Sequence, residues 1–177
     1  MTDSEPTHVA FVCVQNAGRS QMATAFARRE RAQRGADEQS SSSPRSASPH
    51  EDAEAQGASS LGSASPRQDA ADRIEITTGG TQPADHVHEE VVTVMDEAGF
   101  DLSDRTPREV TPEELQTVDY VITMGCSAQD VCPATWNGEN RDWGLDDPDG
   151  QDLDAVREIR DEIELRVHEL FDELLDE

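Results

Sequence analysis

The fold is decided by the stretch His8–Met22, which reads HVAFVCVQNAGRSQM. Its first half, His8–Val14, is a short and mainly apolar run, which is typical of a buried parallel strand. We predict that a helix follows from Gln21 to about Arg34. A strand that leads through a short loop directly into a helix is the unit from which parallel α/β sheets are built.

The rest of the chain continues this alternation. Apolar runs predict further strands, and apolar residues spaced three and four apart predict long helices. A short helix is expected from Thr111, because Thr-Pro-Glu-Glu is a typical helix start. The predicted strands are Ile74–Thr78, Val118–Thr123 and Arg141–Leu145, and the longer helices cover His88–Ala98 and the C-terminal residues from Leu153 to Leu174. We therefore expect one α/β sandwich domain that spans residues 1–177.

The composition is strongly acidic and contains one atypical segment. The 177 residues include 39 acidic and 14 basic side chains, every basic one is Arg, and the net charge is -25. The segment Ala36–Asp72 is rich in Ser and Ala, and Leu61 is its only large aliphatic residue. It cannot bury enough apolar surface to offset the entropy lost on ordering. We therefore predict that residues 36–72 form a disordered or loosely ordered insertion.

The same composition limits which binding partners and which cellular location we expect. No nucleic-acid or membrane partner is expected, because both recruit clustered Lys and Arg, and the apolar run Val9–Val14 is far too short to span a bilayer. The acidic segment Met1–Thr7 is unlike a secretory signal, so we expect a cytoplasmic protein. We also expect the protein to be a monomer. Many acids without any Lys indicate a halophilic protein, in which salt screens the self-repulsion.

The loop Cys13–Ser20, which we call the oxyanion loop, follows the first predicted strand. Ligands of parallel sheets bind at the carboxyl ends of strands, and the N-terminus of the next helix attracts anions. Arg19 adds a planar fork of donors for a tetrahedral oxyanion, and the same field favours the nucleophilic thiolate of Cys13. Ser20 can donate to that thiolate, and Asn16 can hold a left-handed conformation. The predicted oxyanion-binding residues are Val14, Gln15, Asn16, Ala17, Gly18, Arg19 and Ser20.

Five stretches together resemble the low-molecular-weight protein tyrosine phosphatase superfamily, which includes the thioredoxin-coupled arsenate reductases. They are Val9–Met22, Gly79–Asp85, Asp101–Arg108, Val118–Cys132 and Asp142–Gly150. The resemblance implies a four-stranded parallel sheet flanked by helices, in a three-layer sandwich. It also implies that Cys13 is the nucleophile and that Arg19 clamps the oxyanion. Asp147, directly before Pro148, would be the general acid that protonates the leaving oxygen.

Two further cysteines, Cys126 and Cys132, favour arsenate reduction over phosphate hydrolysis. Reducing arsenate requires two electrons, which a thiol relay can supply. In the relay that the resemblance implies, Cys126 attacks Cys13 and releases arsenite, and Cys132 then takes over the disulfide. An external thioredoxin-like protein restores the thiols, so the expected partners are a small oxyanion and this reductant. We expect no bound cofactor.

Alternative functions remain open. A low-molecular-weight phosphatase would hydrolyse phosphomonoesters through a cysteinyl phosphate on Cys13. Tyrosine phosphatases of the superfamily usually carry aromatic residues after the Asp-Pro pair, whereas this chain has Asp149-Gly150-Gln151. An inactive oxyanion-binding module is a third hypothesis, of a different class.

A metal site is not predicted. The spacing of Cys126 and Cys132 is loose for zinc, and only His86 and His88 could complete such a site. We interpret both histidines as ordinary helix-start residues. Arg105 and Arg108 could extend a rim for an anionic substrate, but among so many acids we interpret them as solvated side chains.

Overall fold

The computed structural model describes residues 5–40 and 71–176. The predicted insertion lies largely outside this part of the chain. Within it, the strands are β1 (Thr7–Cys13), β2 (Ile74–Gly80), β3 (Tyr120–Met124) and β4 (Glu139–Asp142). The helices are α1 (Arg19–Ser40), α2 (Glu89–Glu97), α3 (Pro112–Leu115), α4 (Ala128–Val131) and α5 (Leu153–Asp176).

The strands form one four-stranded sheet in the order β2-β1-β3-β4, and every pair in it is parallel. The predicted four-stranded parallel sheet flanked by helices is therefore confirmed. Strand β1 is central, and its last residue, Cys13, pairs with Gly80 on one side and with Met124 on the other. The carboxyl ends of three strands thus meet around Cys13.

Alternate residues of β1 enter two separate cores, because successive side chains of a strand point to opposite faces. Val9, Phe11 and Cys13 belong to the larger core, together with buried residues of α1, α2 and α5. Ala10 and Val12 belong to the smaller core on the other face. Helix α5 contributes a continuous apolar face, formed by Val156, Ile159, Ile163, Val167, Leu170 and Phe171. This arrangement is the three-layer sandwich.

Several element bounds differ from the prediction. Helix α1 begins at Arg19 and continues to Ser40, so its last residues lie within the segment expected to be loosely ordered. Strand β4 lies two to three residues before the predicted Arg141–Leu145, because its backbone pairing with β3 starts at Glu139. The predicted capping box is present, with the Thr111 hydroxyl accepting from the Glu114 amide. Among the described helices, none is both long and apolar enough to cross a membrane.

Candidate functional site

The strand order places a crevice at the carboxyl end of the sheet. The chain moves outward from β1 to β2 and then returns across β1 to β3, so the connections after β1 and β3 diverge. Such a switch point is where parallel sheets bind ligands. Cys13 and Met124 end the two strands side by side. The oxyanion loop follows β1 directly and leads into α1 at Arg19.

Five carbonyl groups of the oxyanion loop accept hydrogen bonds from donors outside the loop. The oxygens of Cys13, Val14, Gln15 and Ala17 accept from the amides of Thr81, Gln82, Ala84 and His88, at 2.8 to 3.2 Å. The oxygen of Asn16 accepts from the Gln21 side chain at 3.0 Å. In a trans peptide the next N–H points away from the carbonyl. The N–H groups of residues 14–18 therefore face the opposite side. We call this row of N–H groups the oxyanion cradle, because successive amides that face one way can bind an anion.

The Cys13 thiol lies at the centre of this cradle. Cys13 is 3% exposed, and its Sγ accepts from the Asn16 amide at 3.2 Å. The Ser20 hydroxyl lies 2.9 Å from the same sulfur. The Asn16 amide donates to this sulfur, and Ser20, whose oxygen accepts from Asn16 Nδ2, can turn its hydroxyl hydrogen towards it. Such hydrogen bonds favour negative charge on the sulfur. This geometry suits the nucleophilic role that the sequence predicts for Cys13.

Asn16 fixes the shape of the loop. Its φ is +50°, the left-handed conformation that the sequence predicts for it. Its side-chain amide donates to Ser20 at 2.7 Å and to Thr78 at 2.8 Å. Its side-chain oxygen accepts from the Arg108 amide at 3.0 Å and from Gln21 at 3.1 Å. One fully buried side chain therefore ties the loop to β2, to α1 and to the segment after α2.

Arg19 is held at the mouth of the cradle. Its side chain is 8% exposed, its Nη1 donates to the Leu145 oxygen at 2.9 Å, and its Nη2 lies 3.4 Å from Asp147 Oδ2. Gly125 makes room for the guanidinium, because a Cβ there would lie 2.6 Å from Nη1. The chain after β3 therefore passes close to Arg19 at Gly125, a position where a side chain would collide with the guanidinium.

Asp147 lies on an exposed turn beside Arg19. We call residues 147–151 the acid turn. The Asp147 side chain is 58% exposed, and its Oδ1 accepts from the Asp149 amide at 3.1 Å. Pro148 packs directly on Gly18, where an added Cβ would lie 2.7 Å from the proline Cγ. The fold thus brings Cys13, Arg19 and Asp147 together, although they are far apart in the sequence.

Cys126 lies at the same edge of the sheet, two residues after β3. Its thiol donates to the Val12 oxygen at 3.6 Å, next to the start of the oxyanion loop. Burial raises the pKa of Cys126 to about 11, and the neighbouring Cys13 adds to the rise while Arg19 opposes it. A thiol with such a pKa is protonated at neutral pH and becomes nucleophilic only when its surroundings change.

Cys132 lies at the other end of helix α4. It is the C-terminal cap of that helix, and its amide donates to the Ala128 oxygen at 2.8 Å. It packs against the smaller core, as Trp136 and Cys126 do. Burial also raises the pKa of the Cys132 thiol. All three cysteines are free thiols, and one helical turn separates the second from the third.

Sequence reasoning missed several residues of the site. Arg108, interpreted as a solvated side chain, donates its amide to Asn16 and its Nη1 to the Thr78 oxygen at 2.8 Å, and it pairs with Glu114. His88, interpreted as an ordinary helix-start residue, lies against Gly18. The one usable signal was that Arg108 falls inside a stretch carrying the family resemblance. Within residues 5–40 and 71–176, no three metal-binding side chains form a cluster.

Known proteins similar to this chain share both the fold and the family. A family model described as low molecular weight phosphotyrosine protein phosphatase matches residues 63–177. A Halobacterium salinarum protein named "Putative arsenate reductase" is 51% identical over 173 residues, which cover 98% of this chain and 96% of that protein. An arsenate reductase of Halalkalibacterium halodurans is 37% identical over 103 residues, covering 54% of this chain and 73% of that protein.

Solved structures give the same result. A thioredoxin-dependent arsenate reductase of Corynebacterium glutamicum superposes with a TM-score of 0.62 at 28% identity, covering 98% of this chain and 64% of that one. An arsenate reductase in the phosphate binding state superposes with a TM-score of 0.63 at 26% identity, covering 95% and 98%. The chain therefore belongs to the low molecular weight phosphotyrosine protein phosphatase family.

Proposed function

We propose that this protein reduces arsenate to arsenite by a thiol relay through Cys13, Cys126 and Cys132. The observation that carries the proposal is the position of Cys126. Cys126 lies two residues after β3, the strand that pairs with β1, and its thiol contacts the Val12 oxygen directly before the nucleophile Cys13. A phosphatase requires only water at this point, whereas a reductase requires a second thiol within reach of the first.

The first step is attack on the bound oxyanion. The N–H groups of the cradle and the Arg19 guanidinium hold arsenate, and the Cys13 thiolate forms a bond to arsenic(V). One oxygen leaves as water, after taking a proton from Asp147. The carboxyl group of Asp147 lies beside Arg19 and is open to solvent, so it can reach an oxygen at the outer side of the ligand. Charge neutralisation by fixed donors is the main contribution of the loop.

The second step carries the electrons. The Cys126 thiolate attacks Cys13 Sγ, the sulfur–arsenic bond breaks, and its electron pair stays on arsenic, which leaves as arsenite. The two thiols become a disulfide, so two electrons pass to arsenic. The charge of Cys13 contributes to the raised pKa of Cys126. Forming the arsenic adduct moves this charge from the sulfur to the arsenic oxygens, where Arg19 and the loop N–H groups neutralise it, so the attacking thiolate no longer approaches a charged sulfur.

The third step returns the enzyme to its starting state. Cys132 attacks Cys126, the Cys13 thiolate is released, and a Cys126–Cys132 disulfide remains. Helix α4, which separates the two cysteines, has only four residues. A short helix is easily unwound, because it has few internal hydrogen bonds. An external thioredoxin-like protein then reduces the disulfide. A mostly apolar cleft of about 400 Å³, lined in part by Cys132, Pro133 and Trp136, offers it a contact surface.

The proposed setting is a salt-rich cytoplasm in which the protein acts as a monomer. The chain carries a net charge of -25, which would repel a divalent anion in dilute buffer. At molar salt the Debye length is only ~3 Å, so distant carboxylates no longer act on the substrate. The local donors of the oxyanion loop then determine binding.

A second candidate function is hydrolysis of phosphomonoesters. The pairing of Asp147 with Arg19 beside the Cys13 thiol supports it, because this arrangement also serves cysteinyl phosphate chemistry. The exposed acid turn continues with Asp149-Gly150-Gln151, so it offers no aromatic wall to a phosphotyrosine ring. Small aryl phosphates are therefore the appropriate substrates for testing this activity.

Four proteins separate the two activities: the wild type and the variants Cys13→Ser, Cys126→Ser and Cys132→Ser. Arsenate reduction is measured with thioredoxin and thioredoxin reductase in molar salt, and phosphatase activity with an aryl phosphate. We expect Cys126→Ser and Cys132→Ser to lose arsenate turnover at least 100-fold but to keep any hydrolysis, whereas Cys13→Ser loses both. The control Thr135→Ser, in the exposed segment after Cys132, keeps wild-type rates. Undiminished reduction by Cys126→Ser would refute the relay.

A further inference from the structure

His88 lies where the acid turn meets the oxyanion loop. Its amide donates to the Ala17 oxygen at 3.0 Å, and its ring carbon Cδ2 would lie 3.6 Å from a Cβ placed on Gly18. Pro148 of the acid turn contacts the same glycine. Gly18 is therefore packed between a histidine of the α2 start and a proline of the acid turn.

The imidazole of His88 is directed at the acid turn and does not cap its own helix. His88 is the N-cap residue of α2, but its side chain makes no capping hydrogen bond. Its Nδ1 instead lies 3.9 Å from Asp149 Oδ1, and the side chain is only 16% exposed.

Asp149 is hydrogen-bonded to Asp147, the acidic residue next to Arg19. Its amide donates to Asp147 Oδ1 at 3.1 Å, and the amide of Gln151 donates to the Pro148 oxygen at 3.2 Å. These two bonds make the acid turn a compact unit. Arg19 contacts this unit through Asp147 on one side, and His88 contacts it through Asp149 on the other.

We infer that His88 is a positioning residue that anchors the acid turn over the oxyanion loop and thereby orients Asp147. The inference rests on the proposed function, in which Asp147 delivers a proton to the leaving oxygen. His88 contacts neither the Cys13 thiol nor the N–H groups of the oxyanion cradle, so it acts through Asp149 and Pro148. When protonated, it also adds a positive charge beside the path of an incoming anion.

The ring and the acid turn meet at His88 Nδ1 and Asp149 Oδ1, which lie 3.9 Å apart. The acid turn brings Asp149 to the ring, and the first turn of α2, which follows His88, carries Glu89 and Glu90. The oxyanion loop brings only the uncharged Ala17 and Gly18 against it.

The first test measures how firmly the acid turn is held in place, and it does not require catalytic activity. Amide hydrogen exchange at Asp149 and Gln151 is compared between the wild type, His88→Gln, Asp149→Asn and the matched control His86→Gln. His86 is exposed and lies two residues before His88. We expect about 3- to 10-fold faster exchange in the first two variants, as the turn opens more often, and wild-type exchange in His86→Gln. Wild-type exchange in His88→Gln would overturn the inference.

The second test measures orientation of the acid. Single-turnover arsenate reduction is followed in the same proteins and in the double variant His88→Gln/Asp149→Asn. We expect each single variant to be about 3- to 10-fold slower with little change in the arsenate KM, and the double variant to be no slower than the slower single one. Multiplicative losses would overturn the orienting role. If the wild type reduces no arsenate, the proposed function fails, while the exchange measurement still decides the anchor.

Discussion

The reactivity of Cys126 should depend steeply on pH. Burial raises the pKa of its thiol to about 11, and only the thiolate reacts with alkylating reagents. At pH 8 about one molecule in a thousand is then ionised at this site, and each further pH unit increases that fraction about tenfold. We therefore expect the alkylation rate of Cys126 to rise about 100-fold between pH 7 and pH 9, without a plateau.

The measurement uses iodoacetamide at molar salt, with mass spectrometry of the peptide that contains Cys126. The same chain unfolded in urea is the control, because an unperturbed thiol has a pKa of about 8.5 and its rate levels off near pH 9. A plateau at the same pH in the folded protein would refute the argument from burial.

The variant Cys13→Ser sharpens this prediction. The charge of Cys13 contributes to the raised pKa of Cys126. Removing that thiol should therefore make Cys126 more reactive at pH 8, by the mechanism that we propose for the arsenic adduct. Slower alkylation of Cys126 in this variant would contradict the second step of the relay.

Three further predictions concern the site and the solvent. Asn16→Ala removes the bonds that tie the oxyanion loop to Ser20 and Thr78, so we expect a loss of about 1–3 kcal/mol in the free energy of unfolding and weaker phosphate binding by calorimetry. Gly125→Ala directs a methyl group at the Arg19 guanidinium and should weaken phosphate binding at least tenfold, whereas Gly99→Ala, which also has a positive φ but open space around it, should not. Finally, transfer from 1 M to 0.01 M salt lengthens the Debye length from ~3 to ~30 Å. We expect the helical circular dichroism signal to fall in that transfer, and a full signal in dilute buffer would refute adaptation to salt.

The sequence predicts the central part of this fold because local and global signals agree there. An apolar run, a loop and a helix start follow each other directly from His8 to Met22, and β1 and α1 form at these positions. The C-terminal helix is equally clear from its three-and-four spacing. Strand β4 is different, because it is a short edge strand of mainly exposed residues. Its bounds depend on backbone pairing with β3, which apolar patterning does not report.

The candidate site divides in the same way. Cys13, Arg19 and Asp147 are recognisable because each stands in a local motif with its own chemistry. The contacts of Arg108 and His88 depend on chain segments that are distant in the sequence. Leu145 contributes only a backbone oxygen to Arg19, so its side chain gives no signal. Such contacts follow from the topology of the sheet and require the folded structure.

The central claim is that arsenate drives oxidation of Cys126 and Cys132 through Cys13. The most direct measurement is mass spectrometric mapping of disulfides after arsenate is added to the fully reduced protein, without a reductant and in molar salt. The relay predicts a Cys126–Cys132 disulfide that forms with arsenate, does not form with phosphate, and is absent in Cys13→Ser. Arsenite release without this disulfide, or the same disulfide in Cys13→Ser, would contradict the relay.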